Sequence, residues 1–125
     1  MQGQRTIVSW YFQGSMAEYA LNTKVGKAFI APCDYTALTV RLHAEGAPAG
    51  TALAANILDD GATIYNNATD ALARLEVGAT EGESDSLLET GIEAGSVVTL
   101  QFTSLGTDTY ARGVTVQLEL EESNN

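Results

Sequence analysis

His43 is the chain's one histidine and Cys33 its one cysteine, and those counts limit the chemistry at the outset. A single histidine cannot assemble a multi-histidine metal cage or proton relay within one chain. His43 alternates with Arg41 and Thr39 in a run that reads as the wet face of a strand, so a surface or interface side chain is a simpler reading than a catalytic base. No G-x-S-x-G elbow accompanies any serine. Glu81, Glu83 and Asp85 alternate within the polar stretch 78–86 and could offer oxygens to calcium, but the D-x-[DN]-x-[DN]-G spacing with its closing glutamate is missing. A solvated loop is the preferred reading, with Gly82 adding mobility. A glycosidase pair is defined by carboxylate separation, which linear spacing does not supply. Cys33 has no partner for an intramolecular disulfide and, beside Pro32 at the start of a strand, reads as a half-buried structural thiol. The expectation is a protein with no catalytic residues, no metal and no cofactor. Tyr11, Tyr19, Tyr35, Tyr65 and Tyr110 could stack on pyranose faces, although each is more simply a ring capping a sheet edge with its hydroxyl in water.

The elements that would carry these residues are strands. From Asp34 to Glu45, Leu38, Val40, Leu42 and Ala44 alternate with Thr39, Arg41 and His43, the period-2 signature of one buried and one wet face. After the corner Gly46-Ala47-Pro48-Ala49-Gly50, Leu53, Ala55 and Ile57 again share a face. Asp60-Gly61 then supplies the positive φ of a tight hairpin into Ala62–Tyr65. Val98, Leu100 and Phe102 alternate with Thr99, Gln101 and Thr103, and Val114, Val116, Leu118 and Leu120 with Thr115, Gln117 and Glu119. Lys24 to Ala31 is a strand ended by Pro32. Gln13 to Asn22 reads as a loop or short helical turn with Met16, Tyr19 and Leu21 as packing points. Asn66 to Ala68 reads as a turn, and Ala71 to Val77 and Leu87-Leu88 as short strands or loop.

Short strands at roughly 8 to 12-residue spacing, without a βαβ rhythm, point to an all-β antiparallel sandwich, jelly-roll-like, of about eight strands. Its core is expected from Val8, Trp10, Phe12, Leu38, Val40, Leu42, Leu53, Ile57, Val98, Leu100, Phe102, Val114, Val116 and Leu118. In Thr6–Phe12, Ile7 and Tyr11 are also apolar, so Ile7, Val8, Trp10, Tyr11 and Phe12 are the candidate interface. Residues 1–24 are read as an N-terminal strand and loop that could serve as an anchoring arm, and 25–125 as the sandwich.

At 125 residues, against a usual ~100 to 200 per domain, one core without staples is expected. Sixteen acidic residues oppose six basic ones, a formal charge of −10, which repels phosphate backbones and argues against nucleic acid as a partner. The acids fall mostly at turns and outward strand positions, where they favour solubility and protect edges. No apolar run approaches the ~20 residues of a spanning helix. Met1–Arg5 shows no basic-then-apolar secretory pattern, so synthesis in a cytoplasm is expected.

The succession Phe29-Ile30-Ala31-Pro32, Leu38-Thr39-Val40-Arg41-Leu42-His43-Ala44, Gly46-Ala47-Pro48-Ala49-Gly50-Thr51-Ala52-Leu53 and Asn56-Ile57-Leu58-Asp59-Asp60-Gly61-Ala62-Thr63-Ile64-Tyr65 resembles a β-sandwich module of tailed-bacteriophage structural proteins. Glu93-Ala94-Gly95-Ser96-Val97-Val98-Thr99-Leu100 is similar to that module's later strand opening. Leu58-Asp59-Asp60-Gly61 stands where the module commonly has N-K-N-G. The resemblance implies a non-enzymatic particle component at the virion surface, made in a host cytoplasm. The resemblance leaves open a tail fibre, a baseplate or a head decoration; the shortness of the chain favours a capsid decoration or stabilising subunit bound to a major capsid or tail protein, expected as a homo-oligomer such as a trimer. The alternative is a tail-associated receptor- or carbohydrate-binding module.

Overall fold

The computed structural model describes residues 4–65, 72–85, 87 and 91–123. The alternating runs form ten strands among them: β1 (Arg5–Ser15), β2 (Val25–Ile30), β3 (Tyr35–His43), β4 (Leu53–Asp59), β5 (Ala62–Thr63), β6 (Ala73–Leu75), β7 (Glu81–Ser84), β8 (Gly91–Ile92), β9 (Val97–Leu105) and β10 (Arg112–Glu122). Among the described residues helix is confined to one 3-10 turn, Met16–Glu18, where the Ser15 Oγ accepts from the Ala17 N–H at 3.1 Å. One antiparallel sheet runs β1-β10-β3-β7 with β8 also on β3, and the other β2-β9-β4-β5 with β6 also on β4. Because β7 and β8 lie end to end along β3, and β6 and β5 along β4, the pieces amount to the eight positions of a jelly roll. The long strands β1, β2, β3 and β4 alternate between the sheets, and β9 and β10 return to the middle of each. This is the double Greek-key order of that fold. The expected all-β sandwich is the fold observed. The turn expected at Asn66–Ala68, and Ala71 and Leu88, lie outside the described residues.

Period-2 alternation sends Trp10 and Phe12 of β1, Val40 and Leu42 of β3, Leu53, Ala55 and Ile57 of β4, Val98, Leu100 and Phe102 of β9, and Val114, Val116, Leu118 and Leu120 of β10 into one buried layer. Each large side chain so enclosed contributes ~1.5 to 3 kcal/mol. Val8 packs against the layer from its margin. Leu38 departs from the expected core and is half-buried. The reason is a bulge: Thr39 pairs with Glu119 and Ala37 with Leu120, leaving Leu38 unpaired. An extra residue resets the alternation, so Ala37 and Tyr35 point inward in its place. Thr103 does the same in β9, where Phe102 faces Ala55 and Ser104 faces Ala54. Met16 is fully buried as a packing point, whereas Leu21 is exposed.

The β4–β5 hairpin turns on Asp60 (φ 50°) and Gly61 (φ 90°), flanked by the pair Asp59 and Ala62. Two positive φ values in a two-residue loop make the I′ turn that Asp-Gly favours. Residues 81–84 correct a sequence expectation, since they form β7 on the β3 edge and not a loop. Edge pairing uses backbone groups and does not need the aliphatic side chains that this segment lacks. Gly82 is there for close approach: a Cβ on it would fall within the van der Waals shell of the Arg74 carbonyl oxygen. Gly82→Ala must therefore push β7 away from β6, and we expect a loss of about 1–3 kcal/mol in urea unfolding.

Tyr65 is wholly enclosed, and its hydroxyl lies beside the Ala73 backbone with no hydrogen bond of good geometry among the described residues. Burial pushes its pKa well above the ordinary tyrosine value. Tyr35 is raised as well, by its bond to Cys33 first and then by burial. The folded chain keeps these phenols protonated where the unfolded chain ionises them. Their contribution to stability is thus intact below pH ~10 and declines as pH rises past it. Unfolding followed from pH 8 upward should show that decline, and Tyr65→Phe should flatten it while raising neutral-pH stability by up to about 1 kcal/mol.

Candidate docking surface

Register fixes the outer face of the first sheet row by row. Tyr11, Thr115, His43 and Glu81 form one row, and Ser9, Gln117, Arg41 and Glu83 the next. Ion pairs cross it as an alternating chain from Glu121 to Arg5 (3.3 Å), Arg5 to Glu119 (2.8 Å), Glu119 to Arg41 (3.2 Å) and Arg41 to Glu83 (3.5 Å). The Glu119 hydrogen bond is the main reason that the Arg5 pKa is raised. Both arginines are about half exposed, so water and salt screen the chain and it orients side chains more than it stabilises the fold. His43 is exposed beside it, as expected for an outward strand position.

The five residues expected at an interface are split by the sandwich. Trp10 and Phe12 belong to the core, Val8 lines its margin, and Ile7 and Tyr11 are 48% and 57% exposed. Phe12 stands edge-on to Phe102 of the opposite sheet at 5.4 Å and to Tyr19 at 5.2 Å, while the Trp10 Nε1–H donates to the Lys27 carbonyl at 2.6 Å. The doubly apolar strand is explained by its inward row, leaving only Ile7 and Tyr11 for a partner. Residues 5–12 pair continuously with β10, so this part of the 1–24 segment is built into the first sheet. The tyrosines divide too: Tyr35 and Tyr65 are buried and therefore no sugar platforms, Tyr19 packs on the core, and Tyr11 and Tyr110 are exposed.

A second surface escaped the sequence reading. On the outer face of the second sheet Ile30 is 65% and Val97 38% exposed, paired across β2 and β9, with Thr99, Gln101 and the half-buried Leu58 beyond them. The Asp60 Oδ1 accepts from the Val97 N–H at 2.8 Å and marks the rim, and half-buried Arg74 stands at the far end beside Ala54. Thr99, Gln101 and Leu58 between them are uncharged, and the exposed Lys27 of β2 is the nearest cation along the edge strand. A signal for it exists in the sequence: in Phe29-Ile30 and Val97-Val98 two apolar residues are adjacent, and a strand can turn only one of each pair inward.

Acidic side chains from Asp34, Asp59, Asp60 and Glu93 gather at one end of the sandwich around an open cleft. Part of their role is to cap loops, since the Asp34 Oδ1 accepts from the Ala94 N–H at 2.8 Å. Among the described residues no group of three or more acidic, histidine or cysteine side chains has the geometry to hold a metal ion, Glu81, Glu83 and Asp85 included.

Together these features define an all-β jelly-roll sandwich with one charged and one largely uncharged outer face. No protein-family model and no curated protein matches the chain. Among solved structures a chain titled "Cyanophage Pam1 capsid asymmetric unit" shares the fold, with a TM-score of 0.53 and 19% sequence identity over 98% of this chain and 87% of that one.

Phe12→Ala in the isolated protein should cost about 3–5 kcal/mol, because it empties a core position, whereas Ile7→Ser should stay within about 0.5 kcal/mol. Chemical denaturation of the two variants separates core from surface on β1.

Proposed function

We propose that this chain is a non-enzymatic structural accessory protein of a tailed-phage virion. In this reading it is a capsid decoration or stabilising subunit at the virion surface that docks on the head against the major capsid protein. The observation that carries the reading is the jelly-roll order itself, shared along nearly the whole chain with a chain of a cyanophage capsid asymmetric unit. The sequence resemblance to a tailed-phage sandwich module points the same way independently. A non-catalytic role is supported by where proton affinities are shifted: Tyr65 by enclosure, Tyr35 by its bond to Cys33 and then by burial, and Arg5 by ion pairing, none of them poised to exchange a proton with a substrate.

The docking face we infer is the outer side of the second sheet. Interface centres are depleted in charge, and the Ile30–Val97–Thr99–Gln101 region meets that condition, whereas the first sheet carries the ion-pair chain. A homo-oligomer such as a trimer would present several copies of this face to a symmetric shell. Electron microscopy of particles carrying labelled chain should place it on the head; label on the tail would overturn the assignment. Ile30→Asp combined with Val97→Asp should lower particle occupancy about tenfold or more without unfolding the subunit, and unchanged occupancy would exclude this face.

A further inference from the structure

We propose that the first sheet carries a saccharide site, in a cleft of about 580 Å³ formed by Tyr11, Gln13, Glu45 and Arg112 over a glycine floor. The inference goes beyond virion docking and concerns the opposite face of the sandwich.

The cleft is built by backbone irregularity. β1 and β10 pair regularly through Phe12–Val114 and then shift register before Ser15–Arg112, so Gln13 and Gly14 bulge away from the ladder. Next to the bulge, the Gly46 and Glu45 N–H groups both donate to the Arg112 carbonyl, at 3.1 and 2.9 Å, and the Arg112 N–H donates to the Gly46 carbonyl at 3.0 Å. This bridge sets two side chains across each other's glycine. The Arg112 stem lies where a Cβ on Gly46 would be in close contact at 3.4–3.6 Å, and the Glu45 carboxyl group lies 2.7–2.8 Å from where a Cβ on Gly113 would sit. Each glycine therefore makes room for the other segment's side chain, Gly46 for the Arg112 stem and Gly113 for the Glu45 carboxyl group, and this seats both charged groups at the cleft.

The walls select the ligand. Tyr11 offers a largely exposed ring at one side, a surface on which the C–H face of a pyranose can stack. Glu45 and Arg112 both line the cleft, yet neither takes part in an ion pair within 4.0 Å among the described residues. An anion would meet the Glu45 carboxylate, and a cation the Arg112 guanidinium. A neutral polyol satisfies both, because each hydroxyl donates to a carboxylate and accepts from a guanidinium, and the Gln13 amide can add one bond of either sense. The volume falls within the ~300–1,000 Å³ of small-molecule sites and accommodates one or two sugar rings. The ligand class is thus a neutral hexopyranose, free or at the end of a surface glycan.

Saturation-transfer NMR on the full chain tests this with glucose, galactose, mannose, rhamnose and N-acetylglucosamine at millimolar concentration, and with glucuronate as the charged comparison. At least one neutral sugar should receive saturation, strongest on the C–H protons of one ring face and stronger than for glucuronate. Tyr11→Ala should weaken binding about tenfold, Glu45→Ala should weaken it as well, and Ile30→Ser on the other sheet should leave it unchanged. Tyr11 is exposed, so the fold of Tyr11→Ala is verifiable by its circular dichroism and melting temperature. Absence of transfer to every sugar, or equal transfer in folded Tyr11→Ala, would overturn the proposal. Particle occupancy is a separate measurement that neither outcome alters.

Discussion

The wedge that β1 drives between the two sheets is the interaction on which the rest of this structure depends. Trp10 and Phe12 enter the core from an edge strand, where they meet Phe102 of the opposite sheet and the Lys27 carbonyl of β2. An indole N–H that finds a carbonyl, and rings that meet edge to face, turn hydrophobic burial into a fixed relative position of the sheets. Without that wedge the first sheet would lose the strand that extends β10, and the second would lose the cover over Gly26, where a Cβ would lie 2.9 Å from the Trp10 ring.

Around this anchor the sandwich is adjusted by single extra residues. Leu38 in β3 and Thr103 in β9 each oppose no partner, and each reverses which side of its strand faces the core. A bulge also increases local twist, and both lie in long strands that carry the middle of a sheet. The third irregularity, at Gln13 and Gly14 in β1, opens a cleft at the surface. One backbone device therefore serves packing at two positions and shapes a surface at another.

The two outer faces then differ in kind. Alternating charges on the first sheet keep it hydrated and discourage pairing with another sheet. The second sheet presents Ile30, Val97 and small uncharged neighbours, the composition of a surface that can be dried by a partner. In a chain with a net charge of −10, a face so poor in acidic side chains is a local exception. Its position opposite the cleft would let a docked subunit keep Tyr11 and Arg112 toward solvent.

Period-2 alternation in β3, β4, β9 and β10, and the Asp60-Gly61 corner, were sufficient on their own to specify strands, an antiparallel sandwich and most of its core, because side-chain direction in a strand follows from local geometry. The candidate site was far less legible. Alternation already turns Val8, Trp10 and Phe12 inward and Ile7 and Tyr11 outward, but all five are apolar and read together as one interface; pairing with β10 and packing on the second sheet leave only Ile7 and Tyr11 at the surface. Leu38 reads as core until its bulge is seen, and Gly82 reads as loop until Arg74 of another strand is found against it. The opposition of Glu45 and Arg112 depends on a bridge between residues far apart in the chain. Sequence determined what each strand is; tertiary structure decided which strands are neighbours, where register slips, and hence which side chains share a surface, because those are properties of pairing between distant segments and not of any one of them.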